Sequence, residues 1–464
     1  MSSTFFGLSV AQSGLAAQRR AMDVLGYNIA NANDPTYKRQ RTVSVEGMVL
    51  AQSQESSPGG SSAFGSGVRS GDIERIRDVL IENRLRQATQ ASSSWDYKAQ
   101  TMSQLEATLG EPSDNGLQAD LDNFWNAWDK VATTPDSLPL RGTLLEDSSA
   151  LAQRIQYIYS QINDARGDVN AATVDRVDRI NVIAGEIGRL NNEIGSMQSG
   201  DVSSNDLQNR RDALVLELSK LVAISQHGGG TDNFIVSVGG RVLVQGNLVN
   251  KMTCADVNGS QAVQWASDGE NVIVHGGELQ AIVDLRDVMI PNYLSQLDTL
   301  ASTLVAKVNE IHRTGKTLAG ADGGDFFRAG TTAANISLDD SIIDHPQLIA
   351  ASEDGAIGNS DIAHKIAALN KTPVAGSLTI NDIYRALIGD IGGASATAGR
   401  QATAHKLSLQ QFTTQQQSIS GVSLDEEMTN MIKFQQAYNA SARIITVVDE
   451  MLSILIERTG STGR

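Results

Sequence analysis

Apolar residues return every seven positions through residues 423–456. Leu424, Met431, Tyr438, Ile445 and Leu452 form one row, and Met428, Gln435, Ala442, Asp449 and Ile456 form the other. Phe434, Val448 and Leu455 widen the stripe to a second edge. The period predicts a long helix that needs a partner, and the width predicts more than one neighbour. Ser423 and Glu426 stand at capping-box spacing ahead of it. Near the start of the chain the same period recurs. Leu8, Leu15, Met22 and Ile29 lie seven apart, with Ala11, Gln18, Leu25 and Ala32 three residues after each. Two unrelated amphipathic surface helices would also give such rows. The matched placement at the two ends favours pairing, with everything between them as a long excursion.

Neither helix is expected to be firm alone. Gly7, Gly14 and Gly26 each cost roughly 1 kcal/mol in a helix interior, and residues 444–448 are β-branched throughout. Both ends are therefore expected to be loose in the free chain and to order when partners arrive.

Between the ends the pattern changes several times. In NIANANDPTYKRQ, residues 28–40, Asn31 and Asn33 suit a helix C-terminus and Asp34-Pro35 a turn. Residues 42–45 alternate as a short strand, and the Ser/Gly-rich run 53–71 reads as a loop. Helical spacing predicts helices over 72–110 and 117–131, the second carrying Phe124, Trp125 and Trp128. From 140 to 197 the three-four spacing continues, with one phase slip between Val169 and Val177, as a rod of roughly 80 Å. Residues 207–224 return beside it. Residues 228–276 read as a β-rich insertion with a hairpin at Gly239-Gly240. Helix resumes at Glu278, is interrupted by Pro291, and runs to Ile311. Residues 315–380 carry weak periodicity, and a last helix covers 381–419. The expected fold is mainly α with a β-rich insertion: long terminal helices pairing as a coiled coil, a central long-helix bundle and a small outer β domain. The expected division is 1–45 with 421–464, 46–227 with 277–420, and 228–276.

Composition narrows the function classes. A net charge of −16 and a pI near 4.8 argue against nucleic-acid binding or an anionic membrane as partner. Aromatic residues make up only 5% of the 464, so much of the burial must run along helix seams. Cys254 is alone, which excludes an internal disulfide or a multi-cysteine metal site. No stretch is apolar enough to span a bilayer, so no membrane insertion is expected. The first residues lack the pattern of a cleaved secretory signal. Taken alone this suggests the cytoplasm, but it leaves open an export apparatus that reads an uncleaved terminus.

Candidate chemistry is thin. RTGKT at 313–317 has the tail of a phosphate loop, but Glu310 stands where its first glycine belongs and a helix precedes it; a helix C-cap at Gly315 is the better account. Gly65, Gly67 and Gly71 have the wrong spacing for a dinucleotide loop. Asp322-Gly-Gly-Asp325 lacks the rest of a calcium loop. The six histidines show no metal spacing. Glu106, Glu111, Asp114 and Asp120 are better read as solvated acids than as a hydrolytic pair. Trp125 and Trp128 are better read as core than as a sugar platform. No catalytic residue, cofactor or metal is expected.

Longer motifs carry a resemblance. NIANANDPTYKRQ and SGVSLDEEMTNMIKFQQAYNASARIITVVDEML resemble the two terminal signatures of flagellar rod, hook and hook-associated proteins. The signature positions are Asn28, Asn31, Asn33, Pro35, Tyr37, Gln435, Gln436 and Tyr438. FGSGVRSGDIERIRDVLIENRLR, LGEPSDNGLQADLDNFWNAWDKVATTPDSLPLR, NDLQNRRDALVLELSKL and GGELQAIVDLRDVMIPNYLSQLDTLASTLVAKVNEIH are similar, in order, to segments of the hook–filament junction family. The resemblance implies a structural subunit exported through the flagellar type III channel into the extracellular flagellum. It implies assembly with copies of itself in a ring-like or helical layer. The implied partners are the hook protein, the next hook-associated protein, an export chaperone and the export apparatus. The implied interface is Leu8, Leu15, Met22, Leu25 and Ile29 with Leu424, Met428, Met431, Tyr438, Ala442, Ile445, Leu452 and Ile456. A hook or rod subunit shares the terminal signatures; an exported wall hydrolase is the remote alternative. Where the family usually has Thr-Pro-Gly-Tyr, this chain has Asp34-Pro35-Thr36-Tyr37, which favours a type I turn. The chain is also shorter than many members, which points to a reduced or missing outer domain.

Overall fold

Helical periodicity dominates the sequence, and helices dominate the structure. The computed structural model describes residues 4–47, 49–50, 64–65, 67–111, 113, 116–199, 204–228, 234–374 and 376–459. Helix α1 (Thr4–Ala30) leads through a turn to β1 (Gln40–Glu46), β2 (Val49–Leu50), β3 (Phe64–Gly65) and β4 (Val68–Arg75). β1 pairs antiparallel with β4, and β2 with β3. Helices α2 (Val79–Leu109), α3 (Leu117–Thr133), α4 (Leu138–Ser199) and α5 (Asn205–Leu221) follow. Most of the Ser/Gly-rich loop expected at 53–71 lies outside the described residues.

The helix expected from residue 72 begins later. Residues 68–75 are held as a strand by β1, and Asp78 then starts α2. Its Oδ1 accepts from the amides of Leu80 (2.8 Å) and Ile81 (3.2 Å), which satisfies two donors that a helix start leaves open. At 62 residues α4 is ~93 Å long. The apparent slip between Val169 and Val177 is no slip. Thr173 occupies the buried row at 0% exposure, its hydroxyl donating to Val169 O (3.4 Å) and accepting from Arg286 Nη1 (3.2 Å). A polar residue keeps the phase where an apolar one was sought.

The sheet-rich part holds β5 (Ile224–His227), β6 (Ile235–Val238), β7 (Arg241–Gln245) and β8 (Leu248–Val249) in one antiparallel sheet. A second hairpin joins β9 (Met252–Val257) and β10 (Ser260–Trp265). Gly239 and Gly240, at φ 57° and 83°, make the two-residue turn between β6 and β7, a conformation other residues adopt at a cost. One core joins this sheet to α4 and α5 through Ile180, Ile187, Val215, Leu218, Phe234, Val236 and Val244.

The chain then returns through α6 (Gly277–Asp284) and α7 (Ile290–His312). Pro291 does not interrupt them. A π turn, Leu285–Met289, precedes it; the wider turn accommodates a residue with no N–H to donate. Residues 313–379 contain α8 (Asp361–Ala367) and belong to the main core. Phe326, Phe327, Ile349 and Ile362 are fully buried with Phe124, Trp128 and Leu297. Gly315 is not a helix cap. Its φ lies outside the left-handed region, and a β-carbon there would stand 2.9 Å from Ile362 Cγ1 and 3.0 Å from Ala350 Cβ. Close approach, not helix ending, calls for glycine at this position.

Helix α9 (Ile380–Ser420) begins with a complete capping box between Thr379 and Asp382 and runs along α2. After Gly421–Ser423, α10 (Leu424–Thr459) packs on α1. Among the described residues, no helix is long and apolar enough to cross a membrane.

Candidate assembly surface and its anchor

Helices α1 and α10 meet along one stripe. On α1, Leu25 is buried while Leu8, Leu15, Met22 and Ile29 are half-buried. On α10, Met431, Tyr438, Ala442, Ile445 and Leu452 are half-buried, as are Phe434, Ser441 and Val448. A β-carbon on Gly14 would stand 3.4 Å from Ser441 Oγ, so the two backbones approach closely there. The other heptad row, apart from the half-buried Ala442, is exposed. Met428 is 59% exposed and Ile456 68%, and Gln435, Gln436 and Asp449 are also exposed. Leu424, Ile432, Ile444, Val447, Met451, Ile454 and Leu455 are exposed as well. The pair thus uses one face of α10 and leaves two apolar faces open.

The base of the pair is a polar knot that periodicity could not reveal. Asn28, fully buried, donates from Nδ2 to Gln40 O (2.9 Å) and Glu427 Oε2 (2.9 Å). Its Oδ1 accepts from Tyr37 Oη (2.7 Å) and Gln40 N (3.0 Å). All four hydrogen-bonding positions of the amide are filled. Burial pushes the Tyr37 phenol upward, aided by the nearby Tyr27, Asp206 and Glu427. Arg39 holds Glu427 (Nε–Oε1, 2.6 Å) and Glu426 (Nη1–Oε2, 3.0 Å), and its amide donates to Ser420 O (2.8 Å). Glu427 is 0% exposed and is the last buried residue of α10 among those described. The knot therefore joins the end of α1, the start of β1, the end of α9 and the first turn of α10.

A second cluster fixes the knot to the body. Lys38 pairs with Glu82 of α2 and with Asp212 of α5 (2.9 Å); Arg75 reaches Asp212 (2.8 Å), and Arg77 reaches Glu82 (2.7 Å). Burial alone would raise the Asp212 carboxyl, but Lys38 and Arg75 outweigh it and hold it at about 2. Tyr27 adds a strap from α1 to α5, donating to Asp206 Oδ2 at 2.6 Å. That bond, with burial behind it, raises the phenol to about 12.

The turn between α1 and β1 completes the knot. Asp34 Oδ1 accepts from Thr36 N (2.8 Å) and Thr36 Oγ1 (2.7 Å), while Tyr37 N donates to Asp34 O (3.2 Å). Thr36 is not among the positive-φ residues, so the turn cannot be type II. Asn31 Nδ2 caps the end of α1 through Tyr27 O (2.9 Å), and Asn33 and Pro35 are exposed. Sequence patterns located Asn28 and Tyr37 but missed Arg39, Gln40, Glu82, Asp212 and Glu427. The signal available was the Lys38-Arg39-Gln40 run directly after the turn.

The remaining candidates have structural partners. His312 is fully buried; Nδ1 donates to Gly324 O (2.7 Å) and Nε2 accepts from Ala350 N (2.9 Å). Burial pulls its pKa down to about 4, so the ring is neutral. Asp322 pairs with Lys316, and Asp325 with Arg313. Glu111 accepts from Tyr384 Oη (3.0 Å), Asp120 from Arg154 (3.2 Å), and Glu106 is exposed; Asp114 lies outside the described residues. Trp125 is buried and donates to Asn381 Oδ1 (3.2 Å), and Trp128 is buried against Phe326. Among the described residues no group of His, Cys, Asp and Glu could hold a metal ion.

Comparison with known proteins gives this geometry a context. Residues 102–327 match the family described as the flagellar hook-associated protein FlgK helical domain. Residues 8–38 match the flagella basal body rod protein family, and 414–458 the flagellar basal body rod FlgEFG protein C-terminal family. Flagellar hook-associated protein 1 of Bacillus subtilis (strain 168) is 31% identical over the whole of both chains. That of Escherichia coli (strain K12) is 26% identical, over 96% of this chain and 98% of its own. The solved flagellar hook junction protein FlgK from Burkholderia pseudomallei shares the fold with a TM-score of 0.64 at 15% identity, over 73% of this chain and all of that one. The chain belongs to the flagellar hook-associated protein 1 family.

Proposed function

We propose that this chain is a structural, non-catalytic subunit of the extracellular bacterial flagellum, forming the junction layer between hook and filament after type III export. The observation that carries the reading is the terminal pair. It is anchored at its base by buried polar bonds, yet leaves Met428, Ile432, Val447, Met451 and Ile454 open to solvent along its length. Exposed apolar surface of this kind marks an interaction site. In this reading α1 and α10 of neighbouring copies line an inner tube, and the body and sheet-rich part face outward. The hook protein and the next hook-associated protein sit on either side, and an export chaperone covers the apolar faces beforehand.

The second reading, a hook or rod subunit, has only the terminal rod-family matches at 8–38 and 414–458 behind it and is not favoured. The helical-domain match over 102–327 favours the junction. Substitution of Leu15→Asp or Ile445→Asp tests the assignment. Each is expected to abolish incorporation into flagella while leaving the thermal transition of the body in place. Normal filaments on either variant would refute the role of the seam, and finding the chain along the hook instead of at its distal end would favour the second reading.

A further inference from the structure

Helix α5 has two faces of different chemistry. Val215, Leu218 and Leu221 enter the core shared with the sheet-rich part. Asn205, Asp206, Gln208, Asn209 and Asp212 form a polar face at helical spacing, and it meets the base of the terminal pair. Arg75 of β4 reaches Gln208 Oε1 (2.7 Å), Asn209 Oδ1 (3.0 Å) and Asp212 Oδ2 (2.8 Å). Asn205 Nδ2 donates to Ile73 O (2.9 Å), Tyr27 holds Asp206, and Lys38 holds Asp212. Neither apolar core of the body contains a residue of α1, β1, β4 or α10. A polar interface between two parts of one chain leaves them free to move against each other, where a large apolar one would not.

Two observations point to more than one arrangement of this joint. Asn209 Nδ2 and Arg77 Nε are buried there with no hydrogen-bond partner among the described residues, a cost that a shift of the joint can relieve. A cleft of about 920 Å³ also opens along it. The turn at residues 34–37, with Gly421 and Val422, forms one wall, and α2, α4 and α5 form the other. The two walls can therefore approach without displacing packed side chains. The chain crosses the joint at residues 76–78 and 421–423, both short links at the ends of elements, which is where hinges lie.

The charges of the cleft suit its closure. Arg176 pairs with Glu278, Arg179 with Glu217, and Lys38 with Glu82 and Asp212. Asp34, on the turn, is bonded through Oδ1 to Thr36. Arg86 of α2 and Lys220 of α5 line the opposite wall. Among the described residues none of these three has an opposite charge at ion-pair distance. We propose that the base of the terminal pair is a rigid piece that rocks on the polar face of α5 about the two crossings. It moves between the open arrangement of this structure and a closed one in which Asp34 meets Arg86 and Lys220. The motion belongs to a single copy and does not depend on the assembly reading.

The test uses the full-length free subunit with Cys254→Ser and spin labels on Asn33→Cys and Val182→Cys, exposed positions on the turn and on α4. Double electron–electron resonance is expected to give two distances, one for each arrangement. Asp34→Lys sets a like charge against Arg86 and Lys220 and is expected to lower the closed population about tenfold. Asp34→Asn, which keeps an acceptor for Thr36, should lower it less, and Lys220→Glu added to Asp34→Lys should restore part of it. The thermal transition of the body should not move in any of them. A single narrow distance that Asp34→Lys leaves unchanged would overturn the proposal by showing one rigid joint. A broad distribution that ignores all three substitutions would overturn it as well, because it would mean fraying and not rocking.

Discussion

The body and the terminal pair are both built of long helices, but they bury themselves differently. In the body, α3 places Leu117, Leu121, Phe124 and Trp128 at 0% exposure against α4, α7 and the segment around Phe326. Along α10, no described residue after Glu427 is buried, and exposed apolar positions flank both sides of its seam. A helix that buries a full face is stabilised by its own chain; one that buries a narrow stripe relies on whatever covers the rest. The difference teaches that the body covers its own apolar faces, whereas the terminal pair leaves much of its apolar surface uncovered.

The comparison can be broken at four points, in descending order of effect. Trp128→Ala in the body is expected to cost about 3–5 kcal/mol, lowering the urea midpoint while leaving exchange along α10 unchanged; a loss below 1 kcal/mol would mean the core is loose. Acid is expected to act in two steps, both on the body side of the joint. His312 is held neutral with a pKa of about 4, below the ordinary 6.5. The unfolded chain therefore takes up the proton first, and stability falls by about 3 kcal/mol between pH 6.5 and 4. Asp212, held at about 2, then contributes a further loss between pH 3.8 and 2. Chemical denaturation across this range checks both, and His312→Gln should flatten the first step.

Smaller effects are expected at the joint and on the pair. Asn28→Ala leaves Glu427 and the Gln40 backbone short of partners and should cost about 1–3 kcal/mol. The loss should appear as faster amide exchange along α1 and α10 rather than as a shift of the body transition. Met428→Ser, on an exposed face, should change monomer stability by less than about 0.5 kcal/mol and yet reduce incorporation into flagella. Equal effects on both readouts would mean that face is already covered within one copy.

How much of this was legible in the sequence follows the same division. The heptad rows, the 62-residue helix and the Gly239-Gly240 hairpin declare themselves through local period and turn chemistry. Which row of α10 meets α1 does not, because a stripe wide enough for several neighbours has no unique seam. The start of α2 was missed because residues 72–76 satisfy helical spacing, and only pairing with β1 holds them extended. The polar knot was invisible because its members come from residues 28 to 427 and acquire meaning only when brought together. Residues 315–380 gave no period because they are turns and short helices whose apolar side chains fill gaps in a core made elsewhere.

Amide hydrogen exchange over residues 430–457, compared between the free subunit and intact flagella, tests the central claim most directly. The account predicts exchange in the free subunit orders of magnitude faster than in α3 or α7, becoming protected once the subunit is in the flagellum. Protection in the free subunit equal to that of the body helices, unchanged on assembly, would contradict it.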